Sequence, residues 1–219
     1  KSPTALKTWF FAVYLFSTSK NGVAAKEIQR QTGVTYKCAW RLNHQIRKLM
    51  DEKIPKIKGT VEIDDTWHGG KGPIESRSNK AKIIGLVERG GNAKAFVVKN
   101  LKTKTLLPII KKQVSKGTHL MTDEARSFEN LANHGFLHEA VNHSEREYVR
   151  WTGQNLVHTN SIENFWGQLK RSISGTYHHV SRKHLQKYVN EFAFRYNRRD
   201  AVKPMFSLVL RQLSRPSSK

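Results

Sequence analysis

A single cysteine, Cys38, in 219 residues excludes an internal disulfide and any zinc site built on paired cysteines, and makes a reducing compartment the default. Long apolar runs are missing as well. Trp9 to Phe16 (WFFAVYLF) follows Lys7 as the core of a signal peptide would, but it is far too short to span a bilayer. Leu6, Trp9, Phe10 and Val13 recur in it at helical spacing, so a buried helix is expected and no membrane partner. Acids are scarce: 17 Asp and Glu stand against 39 Lys and Arg, a formal net charge of +22. With 37% hydrophobic and 10% aromatic residues the chain has the means to fold, so this excess implies a polyanionic partner. The basic residues run along the whole length instead of gathering beside one segment, which favours nucleic acid over an anionic membrane surface. No internal repeat is present. The first residue is Lys, not Met, so processing or a preceding segment is expected.

Apolar spacing predicts three helices at the start, over 3–17, 24–32 and 35–50, with Asn21-Gly22 and Gly33-Val34 as the breaks and Thr35 as an N-cap. Two short helices joined by a glycine-containing turn make a helix-turn-helix pattern. Its second helix carries Tyr36, Lys37, Arg41, His44 and Arg47, and Thr35, Tyr36, Lys37 and Arg41 are expected to reach a DNA groove. An ordinary three-helix bundle with a solvated basic face is the plain alternative. Residues 53–58, with Pro55, read as a linker. Strands are then expected over 60–67, 83–88, 93–99, 118–122 and 137–142, with residues 71–80 polar and expected to be mobile. Gly90-Gly91-Asn92 joins the second and third strands as a hairpin. A helix from Thr105 carries Pro108 in its first turn, a short helix lies near 128–133, a loop crosses 145–157, and a last helix covers 183–197. This order is that of the RNase-H-like folds: an α/β chain whose mixed-sheet catalytic core is preceded by an all-α helix-turn-helix domain. The expected division is a DNA-binding domain over 1–57, a core over 58–200 and a basic tail over 201–219.

Between the fifth strand and the last helix, His158 to His179 (HTNSIENFWGQLKRSISGTYHH) reads as an amphipathic helix with Ile162, Phe165, Trp166, Leu169 and Ile173 in one stripe. Spacing puts Trp166 on the core side, for packing and not for stacking on bases. Glu163 and Lys170 sit on the rim, two turns or roughly 10 Å apart, with Gly167 between them. Asn160-x-x-Glu163 also fits a helix start in which Asn160 caps and Glu163 bonds back, so the carboxylate has a structural reading beside a catalytic one.

Acids stand at three places that an RNase-H-like fold would bring together: Asp64 and Asp65 in the first strand, Asp123 and Glu124 after the fourth, and Glu163 on the helix. Phosphodiester cleavage by two divalent ions, roughly 3.5–4 Å apart, needs oxygen ligands converging from several elements. With no paired Cys and no close His pair, hard carboxylates suit Mg²⁺ or Mn²⁺ better than zinc. One ion would activate water or a 3′-hydroxyl, the other would stabilise the leaving oxygen, and Lys170 would hold a phosphate. Strand alternation says only that Asp64 and Asp65 face opposite ways. Each acidic pair alone also reads as a solvated strand end. Of His143, His158, His178 and His179, only His158 is expected near this site, the others being DNA-facing or structural.

The segments VEIDDTWHGGK, KIIGLVERGGNAKAFVV, TDEARSF, VNHSEREYV, HTNSIENFWGQLKRSISGTYHH and EFAFRYNRR span Lys58 to Arg199. Together with GVTYKCAWRL they resemble the ISXO-type insertion-sequence transposases, the bacterial relatives of the Merlin elements. The resemblance implies an RNase-H-like DDE core that cleaves and transfers DNA bounded by terminal inverted repeats. Carried over by motif, its metal ligands fall on Asp64, Asp123 and Glu163, holding two Mg²⁺ or Mn²⁺ ions. Lys170 takes the family's basic position seven residues on, Arg171 joins it on DNA, and His158 completes the expected site. Asp65 stands where the family more often has Glu. Members often begin with a zinc ribbon, which this sequence lacks, so either it has been removed or end recognition relies on the helix-turn-helix. The implied partners are double-stranded repeat and target DNA, with a homodimer on DNA and a cytoplasmic, nucleoid-associated setting. A decayed, DNA-binding regulator is the alternative from another class, and an RNase-H-type nuclease for RNA–DNA hybrids a third.

Overall fold

The computed structural model describes residues 2–69, 80–145, 147–153 and 155–214. The stretch expected to be mobile thus lies outside the described residues up to residue 79, as do residues 215–219. Two compact units divide the chain, residues 1–52 with 168–219, and residues 53–167. Among the described residues no helix is long and apolar enough to cross a membrane.

The first three helices stand close to where apolar spacing predicted them, α1 (Leu6–Thr18), α2 (Ala25–Thr32) and α3 (Tyr36–Leu49), except that α1 begins three residues later than expected and leaves Pro3 outside it. Thr35 caps α3 by accepting from the Cys38 amide at 3.3 Å. Gly33, with φ of 69°, ends α2 in the left-handed conformation that only glycine adopts without strain. Ala12, Val13, Phe16, Ile28, Leu42 and Ile46 close over one another into a core.

The second unit is built on strands β1 (Thr60–His68), β2 (Ala81–Glu88) and β3 (Ala93–Val98), helix α4 (Thr103–Gln113), and strands β4 (His119–Asp123) and β5 (Leu137–Val141). All five expected strands form one sheet in the order β3-β2-β1-β4-β5. The β1–β2 and β2–β3 pairs are antiparallel, β1–β4 and β4–β5 parallel, so the sheet is mixed with its hairpins first. On one face Val61, Ile63, Ile84, Leu86 and Leu120 pack with Leu106 and Ile110 of α4. Helix α4 starts at Thr103, two residues earlier than expected, and just before it Asn100 Oδ1 accepts from Lys102 N at 3.1 Å and from Thr105 Oγ1 at 2.7 Å. Pro108 therefore lies inside the helix and not in its first turn.

Two local expectations fail. The helix near 128–133 is reduced to a 3-10 turn, Ala132–His134, ended by Gly135 at φ of 82°. The expected loop over 145–157 contains a small hairpin, β6 (Arg150–Thr152) against β7 (Asn155–Val157), with Gly153 left-handed at its turn. Helix α5 (Asn160–Ser172) follows and ends in a π-helical turn, Ile173–Tyr177.

The remaining residues return to the first unit. Helix α6 (Arg182–Tyr196) contributes Phe194 to its core. Within the stretch expected as a basic tail, α7 (Met205–Arg211) contributes Val209.

Candidate active site

Alternation along β1 sorts its side chains to two faces. Val61 and Ile63 enter the core under α4, so Glu62 and Asp64 must point to the other face, which α5 covers. Gly85 lies opposite Asp64 in β2, and a Cβ there would come within 2.6 Å of the Trp166 ring. Glycine at this position thus lets α5 lie close on the sheet. Trp166 is buried, as its spacing predicted, and its indole Nε1 donates to Asp64 Oδ2 at 3.0 Å.

Asp123 ends β4, the parallel neighbour of β1, and continuing the Glu62–Met121 register by two residues sets it beside Asp64. Burial pushes the Asp64 carboxyl up to about 7, helped by the negative charges of Asp123 and Asp65 and opposed by the Asp65 amide, 2.7 Å from Oδ1, and by the Trp166 indole. Burial and the charge of Asp123 push Asp65 up to about 6. Three carboxylates therefore share one field, with Asp64 on the face that α5 covers. Glu124 turns to the loop instead, where it accepts from Ser144 N at 3.1 Å and Ser144 Oγ at 2.6 Å.

The start of α5 differs from expectation. Asn160 does not cap it; Glu62, fully buried on β1, does so from across the fold, accepting from Ser161 N at 2.7 Å and Ile162 N at 3.0 Å. A carboxylate here satisfies free amides at the positive end of the helix dipole. The Ser161 hydroxyl adds 3.0 Å and Arg89 Nε 2.7 Å, both to Oε1. Arg89 also donates to the carbonyls of Leu156 at 2.6 Å and His158 at 2.9 Å. His158, expected near the site, has Nδ1 3.2 Å from Glu62 Oε1 and 3.2 Å from the Asn160 amide. Only one of those contacts is made in a given tautomer. Burial, with Arg89 beside it, holds this imidazole below its usual range and so neutral at pH 7.

Glu163 is exposed in the first turn of α5 and accepts from Thr159 Oγ1 at 3.1 Å. Lys170 and Arg171 are exposed in the last turn of the same helix. Carboxylates are hard oxygen donors whose shared negative charge a divalent cation would offset, so Asp64 and Asp123 fit Mg²⁺ or Mn²⁺. Among the described residues no three His, Cys, Asp or Glu side chains are grouped closely enough to hold one ion. The expected set of Asp64, Asp123 and Glu163 is thus not assembled into one ligand group here, and in this arrangement Glu163 faces Thr159.

On α3 the expected DNA-facing residues divide. Thr35 and Lys37 are exposed, as is Tyr36 at 53%. Arg41 is half-buried, donating to Thr4 Oγ1 at 2.6 Å and lying 5.6 Å from the Trp9 ring centre. His44 and Arg47, expected on the same basic face, are 4% and 1% exposed and belong to the interior. Arg47 pairs with buried Glu191 at 2.9 Å, and His44 packs 3.9 Å from Trp40, burial pushing its imidazole down to about 4. His178 and His179 are exposed, His178 with a left-handed φ of 57°. The side chain of His143 is outside the described residues. Sequence reasoning missed Glu62 and Arg89. The available signal for Glu62 was its place two residues before Asp64, which puts both on one face of the strand.

The family model described as the ISXO2-like transposase domain matches residues 56–197. A transposase-like protein of Haemophilus influenzae is 32% identical over 121 residues, 55% of this chain and 92% of its own length. A protein in the transposable element ISH50 of Halobacterium salinarum is 25% identical over 214 residues, 89% of this chain and 70% of its own. Among solved structures, a chain of the simian T-cell lymphotropic virus intasome, in complex with the PP2A regulatory subunit B56 gamma, aligns at 16% identity. That alignment has a TM-score of 0.37 over 83% of this chain and 65% of the other, a likeness too slight to bear on the fold.

Proposed function

The chain belongs to the ISXO2-like transposase family, and from that premise we propose that it is a DNA transposase that binds terminal inverted repeats and cleaves and transfers DNA strands through Asp64, Asp123 and Glu163. The observation that carries this reading is the mutual field of Asp64, Asp65 and Asp123 inside a chain of net charge +22. A strongly basic protein has little structural use for burying two acids, Asp64 and Asp65, within the field of a third, Asp123. The mixed sheet, two antiparallel pairs followed by parallel strands with α4 between, supports reading residues 58–200 as an RNase-H-like core. The α2–Gly33–α3 turn supports reading residues 1–57 as a helix-turn-helix that presents Thr35, Tyr36, Lys37 and Arg41 to DNA.

In this reading bound Mg²⁺ or Mn²⁺, two ions per site, supplies Lewis-acid activation of the attacking and leaving oxygens. Asp64 and Asp123 would hold the metal, and Glu163, which accepts from Thr159 Oγ1, would be the third ligand. Trp166 and the Asp65 amide fix the orientation of Asp64, the indole donating to Oδ2 and the amide to Oδ1. Lys170 and Arg171 hold backbone phosphates, and a homodimer brings two DNA ends together in the cytoplasm, at the nucleoid.

The test is strand transfer by purified protein on repeat-ended DNA with Mg²⁺ or Mn²⁺. Asp123→Asn and Glu163→Gln are expected to reduce product at least about a thousandfold while DNA binding persists. Undiminished transfer by either variant overturns the assignment of that residue. The separation of Glu163 from a three-ligand group favours, as a second reading, a decayed DNA-binding regulator. That reading is selected if the wild-type protein binds repeat DNA in a salt-sensitive way and yields no metal-dependent product.

A further inference from the structure

Glu62 is completely buried on the strand that carries Asp64, two residues away and on the same face. A buried carboxylate persists only where its lone pairs are filled and its charge is met. Here Oε2 takes the amides of Ser161 and Ile162, and Oε1 takes Arg89 Nε, the Ser161 hydroxyl and the approach of His158 Nδ1. A carboxylate offers about four acceptor sites, so none is left for a metal ion or a substrate group. Glu62 is therefore no ligand of the site.

What those contacts do is mechanical. The two amides belong to the residues directly before Glu163, and the carboxylate that receives them is fixed to the strand of Asp64. Arg89 draws in the chain leading to α5 by holding two of its carbonyls while it neutralises Glu62. We propose that Glu62, clamped by Arg89, is a positioning residue that tethers the first turn of α5 to β1 and so sets where Glu163 stands relative to Asp64. This rests on the catalytic reading of Asp64 and Glu163.

The test uses Glu62→Gln, which keeps the shape and one acceptor but removes the charge that Arg89 and the helix end require, with Asp64→Asn as the comparison. Hydrogen exchange on peptides spanning residues 158–166 reads the tether without reference to activity. Glu62→Gln is expected to speed exchange there about tenfold or more while the amides of β2 and β4 keep their protection. The half-saturating Mn²⁺ concentration for strand cleavage is expected to rise about 10- to 100-fold, as for groups that orient a ligand, with a smaller loss at saturating metal. Asp64→Asn is expected to lose cleavage with the exchange pattern intact. Unchanged exchange at the start of α5 overturns the tether. Loss of protection throughout the unit, or lower activity with an unmoved metal requirement, overturns the positioning role in favour of general stability. A wild-type protein that cleaves nothing overturns the catalytic reading instead, and the exchange result then decides the tether by itself.

Discussion

Each unit of this protein encloses a cluster of charged side chains, and the two are built by opposite rules. In the first unit Glu191 is fully buried and receives Arg47 Nε at 2.9 Å, Arg195 Nη2 at 3.0 Å and the Tyr177 hydroxyl at 3.0 Å. The Arg47 guanidinium also lies 3.9 Å from the centre of the Tyr188 ring. Negative charge is met by positive charge and by aromatic faces, so this cluster is closed. In the second unit Asp64, Asp65 and Asp123 share one field, and burial with that field pushes both Asp64 and Asp65 up the pH scale, against the Trp166 and Trp67 indoles, with no basic side chain among the causes of either shift. A cluster that is closed contributes to the fold. One that buries like charges together costs stability, and such costs collect more often at functional sites than elsewhere.

The largest expected effect comes from opening the closed cluster. Glu191→Ala would leave Arg47 buried without its counter-charge, a change worth about 3–5 kcal/mol in comparable buried pairs. Urea denaturation should register that loss, and the double change Glu191→Leu with Arg47→Met should recover much of it. A loss below about 1 kcal/mol in Glu191→Ala would mean that the pair does not close the unit in the way its geometry implies.

The same contrast explains what could be read before any coordinates. The five strands were legible because apolar residues alternate or run together between strong turn residues, as in KIIGLVE before Arg89-Gly90-Gly91-Asn92. Asp64 and Asp123 were legible as acids at strand positions in an acid-poor chain. Arg47 was misplaced because periodicity ranks a residue by polarity, whereas its partner Glu191 lies 144 positions away and makes burial possible. Glu62 was passed over for the same reason, since the donors that fill it lie near residues 89 and 161. The hairpin over 150–157 escaped notice because strands of three residues are too short for alternation to register.

The open cluster should make metal-free stability depend on pH in a predictable direction. An Asp64 raised from 3.8 to about 7 in the folded protein contributes stability that is complete below about pH 4 and lost as pH rises through about 7. His44, lowered to about 4, works the other way, its contribution growing up to about pH 6.5, so the comparison is made within a pair of proteins. Asp64→Asn resembles the protonated acid and keeps an oxygen for the Trp166 indole. Its stability advantage over the wild type should grow between pH 5 and pH 8 by on the order of 2 kcal/mol, several degrees in Tm by scanning fluorimetry without metal. Added Mn²⁺ should raise the wild-type Tm at pH 8 and leave the variant little changed. An equal pH dependence in both proteins would mean that the repulsion does not centre on Asp64.

Helix α3 draws the distinction between closed and open charge within a single element. Arg47 is buried against Glu191, whereas Lys37, ten residues earlier, is exposed in the first turn beyond the Thr35 cap. A solvated lysine on a rigid helix is suited to neutralise one DNA phosphate, with release of about one counterion. Lys37→Ala should therefore weaken DNA binding by a factor of roughly 8 or less at 0.1 M salt, and reduce the slope of log K against log salt by about 1. Because a phosphate contact carries no base readout, the weakening should be the same for repeat and unrelated duplexes. A loss confined to repeat DNA would instead place Lys37 on a base edge, and an unchanged slope would remove α3 from the interface.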